Sequence, residues 1–130
     1  DEFGATTGRP RRCGWLDGFV LSTNCKRWGV DRLFLTKLDI FDGLEEILLC
    51  SAYKLDGKVC RSYPSSSAEL ERVEPVYENL DGWKNGVAEA KVFSDLPENA
   101  QYYIKRIEQL GGCPVGWVST GPGRLDTITR

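Results

Sequence analysis

The chain has 130 residues, with 17 lysines and arginines against 19 acidic residues, no histidine and a formal net charge of -2. That length suits one domain with a real core, and the charge balance excludes an overall field that would draw in nucleic acid or an anionic membrane. No apolar run approaches the ~20 residues that span a bilayer and no signal-peptide pattern opens the chain, so a soluble protein is expected.

The chain starts on Asp1 and contains no methionine, from which we expect a piece of a longer protein. The five cysteines, at 13, 25, 50, 60 and 113, include no C-x-x-C spacing, and without histidine no mixed zinc site can be completed. Free thiols in a reducing cytosol are expected, and Cys50 and Cys60, read as lying on facing strands, suit small buried hydrophobes.

DEFGATTGRPRR, residues 1 to 12, has no apolar period and is predicted to be a loop. Its two glycines give backbone freedom, and the guanidinium forks of Arg9, Arg11 and Arg12 suit carboxylate and phosphate. Pro10 fixes its own backbone and pushes Arg9 towards an extended shape, so Arg9 and Arg11 are aimed differently. Composition alone also allows a merely solvated basic loop.

Leu16, Phe19, Val20 and Trp28 recur at helical spacing, which predicts a helix from Gly14 to Trp28 stopped by Gly29 and slightly weakened by Gly18. Arg32 to Leu35 reads as a short buried strand of the kind found in parallel sheets. Residues 47–53 and 58–63 read as a hairpin around Asp56-Gly57, because such a pair accepts the positive backbone angles of tight turns. A short helix over 68–73, a strand over 76–78 and mostly irregular chain over 81–96 follow. From Pro97 to Leu110 the stripe Ala100, Tyr103, Ile104, Ile107 and Leu110 predicts an amphipathic helix, closed by Gly111-Gly112. Pro114 to Val118 is a strand leading into Ser119-Thr120-Gly121-Pro122.

Ligands of open α/β sheets gather at the carboxyl ends of strands. Two ends here carry unusual residues, Thr36-Lys37-Leu38-Asp39 and Ser119-Thr120-Gly121. An aspartate can accept two parallel hydrogen bonds, which matches the N1-H and amino group of guanine and does not match adenine. A lysine two residues earlier can lay its stem along the base, and Gly121 leaves backbone N–H groups free to meet the base oxygen. The pattern is that of N-K-x-D and S-A-K elements, with Thr36 in place of asparagine. An exposed Lys37–Asp39 pair, or a cap on the next turn, is the alternative for the tetrapeptide alone.

Six segments in register, GATTGRPRRCGWLD, LTKLDIFDGLEEI, CSAYKLDGK, EPVYENLDGW, DLPENAQYYIKRIEQL and STGP, resemble the C-terminal third of the adenylosuccinate synthetase family over essentially the whole chain. The resemblance implies a GTP-dependent ligase that joins inosine monophosphate (IMP) to L-aspartate in AMP biosynthesis. It implies a P-loop NTPase-like α/β fold with a large, mainly parallel sheet, flanking helices and an antiparallel hairpin. It further implies that Ala5, Thr6, Thr7, Gly8, Arg9, Pro10 and Arg11 embrace aspartate, that Arg9 also touches IMP, and that Arg11 reaches the GTP side. Lys37, Leu38 and Asp39 would hold guanine together with Ser119, Thr120 and Gly121. The catalytic groups and the Mg2+ ligands of the family are expected upstream, a cytoplasmic homodimer is expected for the full enzyme, and the 130-residue chain alone is expected to be inactive. Gly123-Arg124-Leu125-Asp126 departs from the family's D-R-x-E/D run. A stand-alone guanine-nucleotide-binding module or pseudoenzyme, and a purely structural scaffold domain, are the competing readings.

Overall fold

The carboxylate of Asp17 accepts a hydrogen bond from the Val20 amide at 3.0 Å, an N-cap that starts the first helix at Gly18. The computed structural model describes residues 2–130, in the order β1 (Leu16–Asp17), α1 (Gly18–Trp28), β2 (Leu33–Leu35), β3 (Leu44–Leu55), β4 (Lys58–Val59), α2 (Ser67–Arg72), β5 (Glu74–Trp83), α3 (Glu98–Gly111), β6 (Val115–Ser119) and β7 (Thr127–Thr129). Single 3-10 turns lie over Leu38–Phe41 and Phe93–Asp95.

The first helix is thus shorter than predicted, because Leu16 and Asp17 are drawn into parallel pairing with Leu49 and Cys50. Gly18 is a packing residue: a Cβ there would lie 2.6 Å from Leu110 Cδ1 and 2.8 Å from the Cys50 carbonyl oxygen. Gly29 ends α1 in the left-handed conformation with its N–H on the Cys25 carbonyl.

β3 is the longest strand, with twelve residues, and it pairs antiparallel with β5 along most of its length. The expected hairpin is present at Asp56-Gly57, where both residues have positive φ, but β4 holds only Lys58 and Val59. The expectation of Cys50 and Cys60 on facing strands is not met: Cys50 sits opposite Tyr77 of β5, whereas the Cys60 amide bonds the Tyr53 carbonyl. β5 also takes up residues 81–83 of the stretch predicted irregular. Strand pairing there is set by partners some thirty-five to forty residues away, which local pattern does not reveal.

β2, β6 and β7 form a second sheet, with β2 and β6 parallel and β6 and β7 antiparallel. The mainly parallel arrangement expected does not describe these residues, since parallel pairing is confined to β1 with β3 and β2 with β6. β3 and β5 run antiparallel even though residues 56–73, with β4 and α2 among them, lie between, so the length of the connection does not set the direction of this ladder. α3 follows its predicted span within one residue, with Pro97 as its N-cap. Ala100, Tyr103, Ile104 and Ile107 are buried along it, and α3 packs on α1 and β5. One core joins both sheets to α3, through Ile47, Leu49, Trp83, Val115, Val118 and Ile128.

Candidate functional site

Thr36 to Asp39 leave the carboxyl end of β2 through Lys37, which adopts the left-handed conformation at φ 58° and ψ 37°. Such a backbone is uncommon for lysine and is retained where the surroundings impose it. The 3-10 turn that follows places residues three apart on one side. Leu38, only 1% exposed, and Phe41 therefore point into the core, while Asp39 is half-buried and Ile40 exposed. Phe41 stands edge-on to Tyr103 at 5.7 Å between ring centres, and the Trp83 indole N–H donates to Asp42 at 2.7 Å. This aromatic floor anchors the turn and leaves the Asp39 carboxylate without a hydrogen bond or ion pair among the described residues. Leu38 can offer a ligand only its backbone.

β2 and β6 run parallel with Leu35 beside Val118, so their carboxyl ends, Thr36 to Asp39 and Ser119 to Gly121, lie next to each other. The second turn is built inward. Thr120 is 2% exposed, its N–H donates to the Asp126 carbonyl at 2.8 Å, and its hydroxyl reaches the same oxygen at 3.4 Å. Ser119 donates its hydroxyl to the Gly121 carbonyl at 3.0 Å. The Gly121 N–H makes no bond among the described residues. Asp126 folds its carboxylate back to accept from the Gly123 N–H at 2.8 Å, and a Cβ on Gly121 would lie 2.7 Å from Asp126 Oδ2. A side chain at 121 would therefore push the Asp126 carboxylate aside.

The arginine loop is a tight excursion rather than a free strand of chain. Phe3 bridges Pro10, the Gly4 N–H donates to the Arg9 carbonyl at 2.8 Å, and the Gly8 N–H to the Gly4 carbonyl at 2.8 Å. Gly8 takes φ 65°, and the Thr7 hydroxyl accepts from the Arg9 N–H at 3.3 Å. Gly4, Thr7, Arg9, Pro10, Arg11 and Arg12 line an open concavity, and Ala5 and Thr6 are exposed beside it. Glu2 ties this loop to the β2 end: its carbonyl accepts from the Arg11 N–H at 2.7 Å and its carboxylate pairs with Lys37 Nζ at 2.7 Å. The hydrogen bond and the charge of Lys37 hold the Glu2 carboxyl below its ordinary pKa.

The sequence profile of adenylosuccinate synthetase matches residues 1–128 of this chain. The chain belongs to the adenylosuccinate synthetase family. It is 46% identical to adenylosuccinate synthetase of Magnetococcus marinus over 98% of its own length and 29% of that protein's. Against the Myxococcus xanthus adenylosuccinate synthetase it is 48% identical, again over 98% of this chain and 29% of that one. A solved structure of fully ligated adenylosuccinate synthetase from Plasmodium falciparum matches with a TM-score of 0.94 and 43% identity, over 99% of this chain and 31% of that one. The chain thus spans about a third or less of the adenylosuccinate synthetases it matches, and the α/β fold is shared with them.

Two residues of this chain that bear on the site escaped the sequence reading. Glu2 lies outside the Ala5–Arg11 run and meets Lys37 only through the fold. Asp126 falls in the segment that departs from the family pattern, and its spacing of three from Gly123 is a turn signal that could have marked it. No group of three or more histidine, cysteine or acidic side chains gathers for a metal among the described residues.

Proposed function

We propose that this chain is the part of an adenylosuccinate synthetase that reads the guanine of GTP and embraces L-aspartate, in a ligase joining IMP to L-aspartate on the route to AMP. The observation that carries the reading is the adjacency of the carboxyl ends of β2 and β6, which brings the segment of the half-buried Asp39, its carboxylate without a partner among the described residues, next to the Ser119–Gly121 segment. Asp39 accepts the guanine N1-H and amino protons, the stem of Lys37 covers the base, and the Gly121 N–H donates to the base oxygen. Adenine presents no donor pair there and leaves the carboxylate unpaired, which disfavours it further.

Thr6, Thr7 and the guanidinium groups around the arginine concavity take the aspartate carboxylates, with Arg9 turned to the IMP ribose and Arg11 to the GTP side. Fixed positive charge suits both the phosphoryl transfer to the IMP oxygen and the attack of the aspartate amine, because it favours the charge that develops in each step. The Mg2+ that this family implies finds no ligand set among the described residues. A larger, mainly parallel P-loop-like sheet, a homodimer and a cytoplasmic location belong to the same reading of the whole protein.

Calorimetry of GDP against ADP tests it. Two charge-assisted hydrogen bonds at the low end of their range, together about 3 kcal/mol, correspond to about a hundredfold loss of GDP affinity in Asp39→Ala. ADP binding should not change. Equal affinity of the unmodified protein for both bases rejects the pocket.

A further inference from the structure

At the amino-terminal ends of β2 and β6, away from the loops described above, two thiols meet. Cys25, on the last turns of α1, is 6% exposed, and Cys113, half-buried just after α3, directs its thiol to Cys25 Sγ at 3.9 Å. We propose that Cys25 and Cys113 are a thiol–disulfide site, in which Cys113 takes up a low-molecular-weight disulfide and Cys25 resolves it to an internal Cys25–Cys113 bond.

Three features of the fold support it. First, Gly111 and Gly112 end α3, and Gly112 turns the chain at φ 74°, which returns Cys113 towards α1. Gly111 itself lies against Cys25, since a Cβ there would come within 3.6 Å of Cys25 Sγ. Second, the two thiols differ in access. Cys113 lines a shallow concavity with Lys105, Glu108, Gln109, Gly112 and Pro114, whereas Cys25 is covered, so an incoming disulfide meets Cys113 first. Third, the backbone already holds the two segments together, since the Leu33 N–H, four residues beyond the end of α1 at Gly29, donates to the Pro114 carbonyl at 2.9 Å. Among the described residues no other thiol lies against a thiol: Cys50 bonds the Ala52 carbonyl and Cys13 the Arg11 carbonyl.

The chemistry balances. The Cys113 thiolate attacks one sulfur of RS–SR, that bond breaks, and RS⁻ leaves to take up a proton. The Cys25 thiolate then attacks Cys113 Sγ, expels the second RS⁻ and closes the internal disulfide. Two protein thiols are oxidised and one external disulfide is reduced to two thiols. Burial raises the Cys25 thiol pKa, so the closing step speeds up as the pH rises.

The experiment is incubation of the purified protein with glutathione disulfide, acid quenching, intact mass and peptide mapping. We expect a glutathione adduct on Cys113 first, then a Cys25–Cys113 linked peptide about tenfold above any other cysteine pairing. Cys25→Ser should stop at the Cys113 adduct, and Cys113→Ser should give neither the linkage nor an adduct on Cys25. Because a buried substitution can disturb folding, the unmodified protein is also compared in native buffer and in denaturant, where mixed pairings should replace the single one. Mixed pairings in native buffer, an adduct on Cys25 in Cys113→Ser, or full alkylation of both thiols after oxidation would each overturn the proposal.

Discussion

Replacing Asp126 by alanine removes a carboxylate that folds back over the Ser119 turn. The side chain accepts from the Gly123 N–H at 2.8 Å, while the backbone of the same residue closes the turn through its N–H to the Gly123 carbonyl at 3.0 Å and its carbonyl to the Thr120 N–H at 2.8 Å. A hydrogen bond to an ionised group contributes about 1.5 to 3 kcal/mol, and water partly replaces it in an exposed turn, so the low end applies. About 1.5 kcal/mol is about a tenfold change in the population of the ordered turn. The turn sits at the edge of the core, so the global unfolding temperature should fall by no more than about 5 °C. Amide hydrogen exchange gives the direct readout: Gly123 should exchange about tenfold faster in Asp126→Ala, with α3 unchanged. Guanine affinity should weaken by up to the same factor if the turn closes the base pocket. Asp126→Asn keeps a neutral acceptor and should fall between the two. Unaltered Gly123 protection in the alanine variant would show that the backbone bonds alone hold the turn.

The Glu2–Lys37 tie should depend on pH. Lys37 depresses the Glu2 pKa from its ordinary 4.5, so the tie is complete above that value and is released as the pH falls below it. An NMR titration of the Glu2 side chain should give a midpoint below 4.5, returning to it in Lys37→Met; a normal midpoint in the unmodified protein refutes the tie. Gly82→Ala should be severely destabilising, because a Cβ there would lie 1.9 Å from the Leu44 carbonyl oxygen and 2.8 Å from its carbon, and neighbouring strand backbone cannot yield as a side-chain tip can. A loss of about 3 kcal/mol or more in urea unfolding is expected, and an unchanged midpoint would contradict the close strand approach.

The identity of this chain was legible in its letters, since the quoted segments pointed to the family that the profile match then established over residues 1–128. The helix over Glu98–Gly111 was equally legible, because its apolar stripe, its proline and its glycine stop are all local signals. The Asp56-Gly57 turn was local in the same sense. The start of α1 was not, because pairing of Leu16 and Asp17 with β3 overrode a helical period that ran through them. Nor was the long β3–β5 ladder, whose partners local pattern cannot match.

For the site, residue types at the strand ends identified the candidates, but their juxtaposition came from the parallel pairing of β2 with β6, two strands about eighty residues apart in the chain. Sequence placed Leu38 among the guanine contacts; packing turned its side chain into the core and left Asp39 outside. Glu2 against Lys37 and Cys25 against Cys113 are contacts of the same kind. Side-chain chemistry and local backbone preference travel with each residue, whereas which distant groups face one another is decided only when the strands and helices pack.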